Sequence, residues 1–226
     1  HISPEEDKAN READQSGSSP EAEDDVYEET GEGYKVLRDY QSSYHGEITF
    51  AQAFAKSCNT TFARLGMEIG YSRLAKMASD FGIGTDFSFS DIMIYTSKYQ
   101  KPESDYQLAW SAVGQYKDIM VPMQLCMISG AIANGGAMME PRLLRATEGS
   151  AGYGMNYTKS SVYSNPLTPE EAERMQELMV GVVKSGTGSS AAIKGMTVGG
   201  KTGTAEVSDD KSVAAHAWFT GFILDE

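Results

Sequence analysis

The residues best suited to chemistry lie in the stretch GGKTGTAEV, 199–207. A single cation, Lys201, stands between Gly200 and Gly203 and is followed by the hydroxyls of Thr202 and Thr204. Glycine weakens a strand and is kept where another chain must come close to the backbone. An extended, peptide-like ligand can lie along such a strand edge through main-chain hydrogen bonds. Lys201 would then meet a carboxylate or shift the pKa of a neighbouring group. Thr202 and Thr204 would offer hydroxyls, and the backbone N–H after Gly203 would be aimed at a developing oxyanion. The plainer alternative is a surface lysine in a glycine-rich strand.

The elements that must hold this stretch are legible from periodicity. MTVGGKTGTAEV (196–207) and AAHAWFTGFIL (214–224) flank a polar turn and predict a β-hairpin, with the second strand aromatic, β-branched and central in its sheet. Before it, TPEEAERMQELMVGVVKSGTG (168–188) predicts a helix: Thr168 caps, Pro169 starts and Glu171 completes a capping box. Its buried stripe is Met175, Leu178, Met179, Val182 and Val183. PMQLCMISGAIANGG begins with Pro122 and stops at Gly135 and Gly136, another helix. Residues 47–70 predict two helices with a break near Asn59 and Thr60, and 71–82 a third that ends at a glycine. Residues 34–41 and 139–147 predict strands, while 83–104 predicts a loop with short extended pieces.

Composition narrows the function class. The 226 residues carry a formal charge of −13, and residues 1–30 hold eleven acids against two bases, so most of the excess sits at one end. Residues 1–33 lack the large apolar side chains needed to offset chain entropy and predict a flexible acidic tail or linker. Without a basic face, nucleic acid is not an expected partner. Cys58 and Cys126 lie in apolar helical patterns and predict two small buried hydrophobes; no CxxC or Cys/His ligand spacing is present, and neither a metal nor a cofactor is expected. No apolar run approaches the roughly 20 residues of a membrane span.

With its setting, KTGT resembles the third signature of the penicillin-interacting serine acyltransferases, and Ser57-Cys58-Asn59 resembles their second, SxN. The surrounding stretches HGEITFAQAFAKSCNTTFARLGMEIG, SAVGQYKDIMVPMQLCMISGAIANGG and VGGKTGTAEV…HAWFTGF are similar to class B penicillin-binding proteins, in order, from residue 45 to 226. The resemblance implies an α/β (α+β) fold, an antiparallel sheet packed with a helical subdomain, related to the serine β-lactamases and here incomplete. Residues 34–226 would be a partial transpeptidase domain, 47–138 its helical part and 139–226 its sheet and helix part.

The resemblance also implies roles. Ser57 would relay a proton among the nucleophile, the lysines and the leaving amine. Asn59 would hold the substrate's amide. Lys201 would pair with the substrate or drug carboxylate, which Thr202 and Thr204 also contact, and the Thr204 N–H next to Gly203 would be half of the oxyanion hole. Cys58 would point into the core. The implied activity is that of a peptidoglycan D,D-transpeptidase, with stem peptides ending in D-Ala-D-Ala and β-lactams as ligands and cell-wall synthesis proteins as partners. The parent would be membrane-anchored on the extracytoplasmic face, and the present chain soluble.

The departure is the first signature, SxxK, which carries the acylated serine and its activating lysine. Only Ser208 and Lys211 have that spacing, and they lie in the polar hairpin turn, so the pairing reads as chance and no nucleophile is identified in this chain. A chain without the helix that carries SxxK is expected to be inactive and to leave core surface uncovered; the family's last strand and C-terminal helix would lie beyond Glu226. Two other readings stay open: a non-catalytic sensor or scaffold of the same fold, and a serine β-lactamase.

Overall fold

The computed structural model describes residues 26–30, 33–39, 45–89, 92–148, 155–207 and 213–224. Ser208 and Lys211 lie outside them, as do the first 25 residues. Within the stretch read as tail, β1 (Tyr27–Thr30) pairs antiparallel with β2 (Gly33–Val36). Buried Val26 and Leu37 continue that ladder, with Leu37 N–H donating to the Val26 carbonyl. Together with Ala63 and Ala109 they form one apolar cluster, so the hairpin is anchored to the helical part by its own side chains.

Three helices follow: α1 (Phe50–Lys56), α2 (Asn59–Ile69) and α3 (Tyr71–Asp80). Thr49 caps α1, taking the Gln52 N–H while the Gln52 side chain takes the Thr49 N–H. The break between α1 and α2 falls at Ser57 and Cys58, one or two residues before the predicted point. There Ser57 takes a left-handed conformation (φ 57°, ψ 47°). The short pair β3 (Phe87–Ser88) and β4 (Met93–Ile94) lies in the region expected to be loop with short extended pieces, and α4 (Asp105–Ala112) follows it.

Next comes α5 (Pro122–Ala133), with proline in its first turn as predicted. Gly136, at φ 94° just after it, lies so close to Leu167 that a Cβ there would sit 2.2 Å from the Leu167 carbonyl oxygen. The predicted strand over 139–147 is not one element. It is represented by β5 (Met138–Met139), paired with β8 (Val162–Ser164), and β6 (Ala146–Glu148), paired with β7 (Met155–Tyr157). Pro141 lies between the two, where a strand interior would need its missing N–H.

The long helix α6 (Pro169–Ser185) carries the predicted capping box, Thr168 with Glu171. Met179, Val182 and Val183 are buried as its stripe requires, and each contributes about 1.5–3 kcal/mol by leaving water. The helix packs against β9 (Thr197–Ala205), which pairs along its whole length with β10 (His216–Leu224). A second apolar cluster, Phe87, Ile94, Met127, Ala131 and Met138, sits under α5.

Two burial expectations are corrected. Among the described residues β10 pairs with β9 alone, and Phe219 and Ile223 are 48% and 47% exposed, so within this chain it is not the covered central strand expected. Cys126 is exposed, because Pro122, Cys126 and Gly130 recur at four-residue spacing along the outward stripe of α5. Cys58 is buried, as expected.

Candidate functional site

The site forms where the end of α1 meets the middle of β9. Lys201 Nζ donates to Ser57 Oγ at 2.8 Å and to the Thr202 carbonyl at 2.9 Å, and lies 5.9 Å from the centre of the Phe54 ring. The Lys201 side chain is half-buried between these groups, and burial lowers its pKa from the usual lysine value. A cationic nitrogen held against a hydroxyl, with its pKa moved toward neutrality, is suited both to pairing an anion and to exchanging a proton through that hydroxyl.

Ser57 reaches the lysine because of its backbone. The left-handed turn ends α1, with the Ser57 N–H on the Phe54 carbonyl and the Cys58 N–H on the Ala53 carbonyl. A non-glycine residue pays roughly 1–2 kcal/mol for that conformation, so the surroundings must hold it. The next helix supplies the hold. Asp39, twenty residues upstream, takes the N–H groups of Asn59 and Thr60 on one carboxylate oxygen and so caps α2. The break between the helices is therefore fixed by a residue from another part of the chain, which local periodicity does not reveal.

Asn59 is placed one residue beyond this cap. Its side-chain amide donates to the Arg38 carbonyl at 3.1 Å, which ties the triplet to the segment after β2. Thr202 meets Thr187, the hydroxyls of the two residues being hydrogen-bonded, and the Thr187 N–H in turn donates to the Ala55 carbonyl at 3.1 Å. The Thr204 carbonyl accepts from Gln115 Nε2 at 2.7 Å. Gln115, Thr187, Phe54 and Asp39 all support the site without having been singled out in the sequence. Gln115 carried a signal, since it lies in the quoted GQYKD stretch; Thr187 and Asp39 carried none.

The glycines of β9 have different reasons. A Cβ at Gly199 would strike the Phe222 ring at 2.6 Å, and one at Gly200 the Phe219 ring at 2.4 Å. At Gly203 a Cβ would meet only Trp218 Cβ, at an ordinary 3.5 Å, and the residue is exposed. Nothing within the described chain forbids a side chain at that position.

Beside the triplet, Asp39, His45 and Cys58 converge. His45 Nδ1 lies 3.1 Å and Cys58 Sγ 3.3 Å from Asp39 Oδ2.

Comparisons with known proteins show the family and the fold. The family model for the penicillin binding protein transpeptidase domain matches residues 21–226, which takes in the acidic residues just before β1. The peptidoglycan D,D-transpeptidase PbpA of Mycolicibacterium smegmatis is 31% identical over 176 residues, covering 77% of this chain and 36% of that protein. The peptidoglycan D,D-transpeptidase MrdA of Acinetobacter baumannii is 28% identical over 206 residues, covering 87% of this chain and 30% of that protein. The chain thus spans about a third of the length of these relatives. Among solved structures, PBPA from Mycobacterium tuberculosis superposes with a TM-score of 0.77 at 28% identity, over 88% of this chain and 45% of that one. The same protein has been solved as an imipenem acyl-enzyme complex, which superposes with a TM-score of 0.75 at 29% identity, over 84% of this chain and 42% of that one.

Proposed function

Because the chain belongs to the penicillin-binding protein transpeptidase domain family, we propose that it supplies the carboxylate-binding and proton-relay wall of a peptidoglycan D,D-transpeptidase. The observation that carries this reading is the 2.8 Å contact between Lys201 Nζ and Ser57 Oγ, made by two signatures 144 residues apart.

In this reading a D-Ala-D-Ala stem peptide lies along β9 with its terminal carboxylate near Lys201, Thr202 and Thr204. Exposed Gly203 leaves room for the peptide backbone. The Thr204 N–H donates to the carbonyl oxygen as it gains negative charge. A serine hydroxyl attacks the penultimate D-Ala carbonyl, an ester forms, and the amide bond to the last D-Ala breaks. Ser57 passes the proton to the departing amine. An amine from a second stem peptide then attacks the ester, gives up a proton and restores the serine. Asn59 positions the donor peptide's amide. A β-lactam follows the same first step and stays as the acyl-enzyme.

In this reading the attacking serine and its lysine come from a part of the whole protein outside this chain, since the Ser208–Lys211 spacing falls in the polar run SDDKS of the sequence. The 226 residues alone bind the carboxylate weakly and do not acylate. The whole protein works on the extracytoplasmic face of the cell membrane, where its substrate lies.

Fluorescent penicillin tests this reading. The whole protein is expected to be labelled, with acylation slowed by roughly a hundredfold or more in Lys201→Ala and Ser57→Ala, while the 226-residue chain stays unlabelled. Labelling of the chain itself, or unchanged acylation in both variants, overturns it.

A further inference from the structure

Thr204 has a second main-chain group that the chemistry above leaves idle, its carbonyl, and a side chain already holds that oxygen. Gln115 Nε2 donates to it at 2.7 Å. We propose that Gln115 is a specificity-determining residue: it occupies the place of a ligand N–H and yields it to a donor that brings one. The inference rests on the transpeptidase reading, because it concerns the same strand edge.

Strand geometry carries the argument. β9 is antiparallel to β10, with Thr204 opposite Ala217. In such a ladder a residue turns its N–H and its C=O to the same edge, and residues two apart share that edge. The carbonyls of Thr202 and Thr204 each take a side-chain donor, Lys201 Nζ at 2.9 Å and Gln115 Nε2 at 2.7 Å. They mark the edge along which a peptide would add. A peptide running antiparallel to it exchanges both hydrogen bonds of Thr204 with one of its own residues. The residue whose carbonyl accepts from the Thr204 N–H then donates its own N–H to the Thr204 carbonyl. In the stem peptide that residue is the penultimate D-Ala. The same direction carries the terminal carboxylate back toward Thr202 and Lys201, as the reading requires. Gln115 stands where the D-Ala N–H has to go.

The way Gln115 is presented agrees. Its N–H bonds the Trp110 carbonyl at 2.9 Å, and its neighbours Gly114 and Tyr116 are both left-handed, at φ 83° and 70°. That conformation is costly for an aromatic residue and persists only where the surroundings impose it. Here both ends are held. α4 lies before the loop, and after it Asp118 accepts from Ser111 Oγ at 2.6 Å and from the Gln100 N–H at 3.0 Å. The backbone at Gln115 is thus fixed, while its carboxamide can swing by a change of rotamer.

The exchange sets a preference. Moving Gln115 aside breaks one neutral hydrogen bond, which the incoming N–H restores. A ligand without an N–H at that place must either leave Gln115 where it is or strip the carbonyl of its partner.

Acylation of the whole protein by benzylpenicillin and by its ester analogue, in which oxygen replaces the side-chain N–H, tests the proposal. The penicillin's amide stands in for the D-Ala N–H. In Gln115→Ala the amide-to-ester ratio of acylation efficiency should rise about two- to tenfold, the worth of one neutral hydrogen bond. Gln115→Asn, one methylene shorter, should shift it in the same direction. A general loosening of the loop changes both rates alike, so an unchanged or lowered ratio overturns the proposal. A crystal structure of the unsubstituted protein acylated by benzylpenicillin needs no variant. The ligand N–H should sit on the Thr204 carbonyl, with Gln115 Nε2 moved beyond about 3.5 Å; Gln115 still on that oxygen overturns the proposal too. Failure of the unsubstituted protein to acylate with either compound would sink the transpeptidase reading and this inference with it, whereas an indifferent ratio sinks this inference alone.

Discussion

The ammonium of Lys201 and the hydroxyl of Ser57 are 2.8 Å apart although one sits mid-strand and the other at a helix end. The contact is made in a half-buried setting that lowers the lysine's pKa. That shift has a measurable effect on stability. The native pKa lies below the ordinary 10.5, so between the two values the unfolded chain holds more protons than the native one. Stability therefore rises with pH through that window, and the cost of burying the charged lysine is fully present below it. Urea melts of the parent and Lys201→Met across this range should show the parent gaining on the variant as pH climbs toward 10.5. Parallel curves would mean that burial does not act on this amine.

Ser57 separates backbone cost from side-chain function. Ser57→Gly should relieve the left-handed conformation and be more stable than Ser57→Ala by about 1 kcal/mol. Both remove the acceptor for Lys201. Thermal or denaturant melts that rank alanine above glycine would show that the turn is not held as described.

The glycines of β9 should behave oppositely. Gly200→Ala drives a Cβ into the Phe219 ring and should cost about 1–3 kcal/mol of stability. Gly203→Ala, facing only an ordinary contact with Trp218, should melt within about 0.5 kcal/mol of the parent yet slow penicillin acylation of the whole protein. Equal melts for the two, or full acylation in Gly203→Ala, would contradict the assignment.

Asp118 offers a second titration, of opposite sense. Burial raises its pKa, while hydrogen bonds from Ser111 and the Gln100 N–H pull it down less strongly. The native state thus keeps a proton that the unfolded carboxyl, near 3.8, has already lost. Stability contributed by this group is full below 3.8 and falls as pH rises through the native value. Asp118→Asn should lose that slope, and acid-range melts of both proteins would show it.

The helix 169–185 and the 197–224 hairpin were legible in the sequence because their signals are local: a capping box, a 3.6-residue stripe, two β-rich runs around a polar turn. The meeting of Lys201 with Ser57 was expected from the motifs and their family context. What escaped was decided at a distance. The carboxylate of Asp39 sets where α2 begins, and Pro141 divides a stretch whose apolar content reads as one strand. The burial of β10 was overread because aromatic and β-branched content reports strand preference, whereas cover depends on which elements pack on it. β2 falls in the strand predicted over 34–41, but its partner β1 lies in a stretch whose average composition is acidic, and the hairpin's anchoring rests on two apolar residues, Val26 and Leu37.

The turn at Gly186 and Thr187 touches both elements of the site: Thr187 N–H holds the Ala55 carbonyl in α1, and its hydroxyl bonds that of Thr202 in β9. A Cβ at Gly186 would come within 2.2 Å of that same Ala55 carbonyl oxygen. These two residues therefore act as a spacer whose dimensions set the gap between serine and lysine. A bulkier spacer pushes the helix end outward and a lost hydroxyl frees the strand, so the aperture can be tuned from behind without altering any group that meets the substrate.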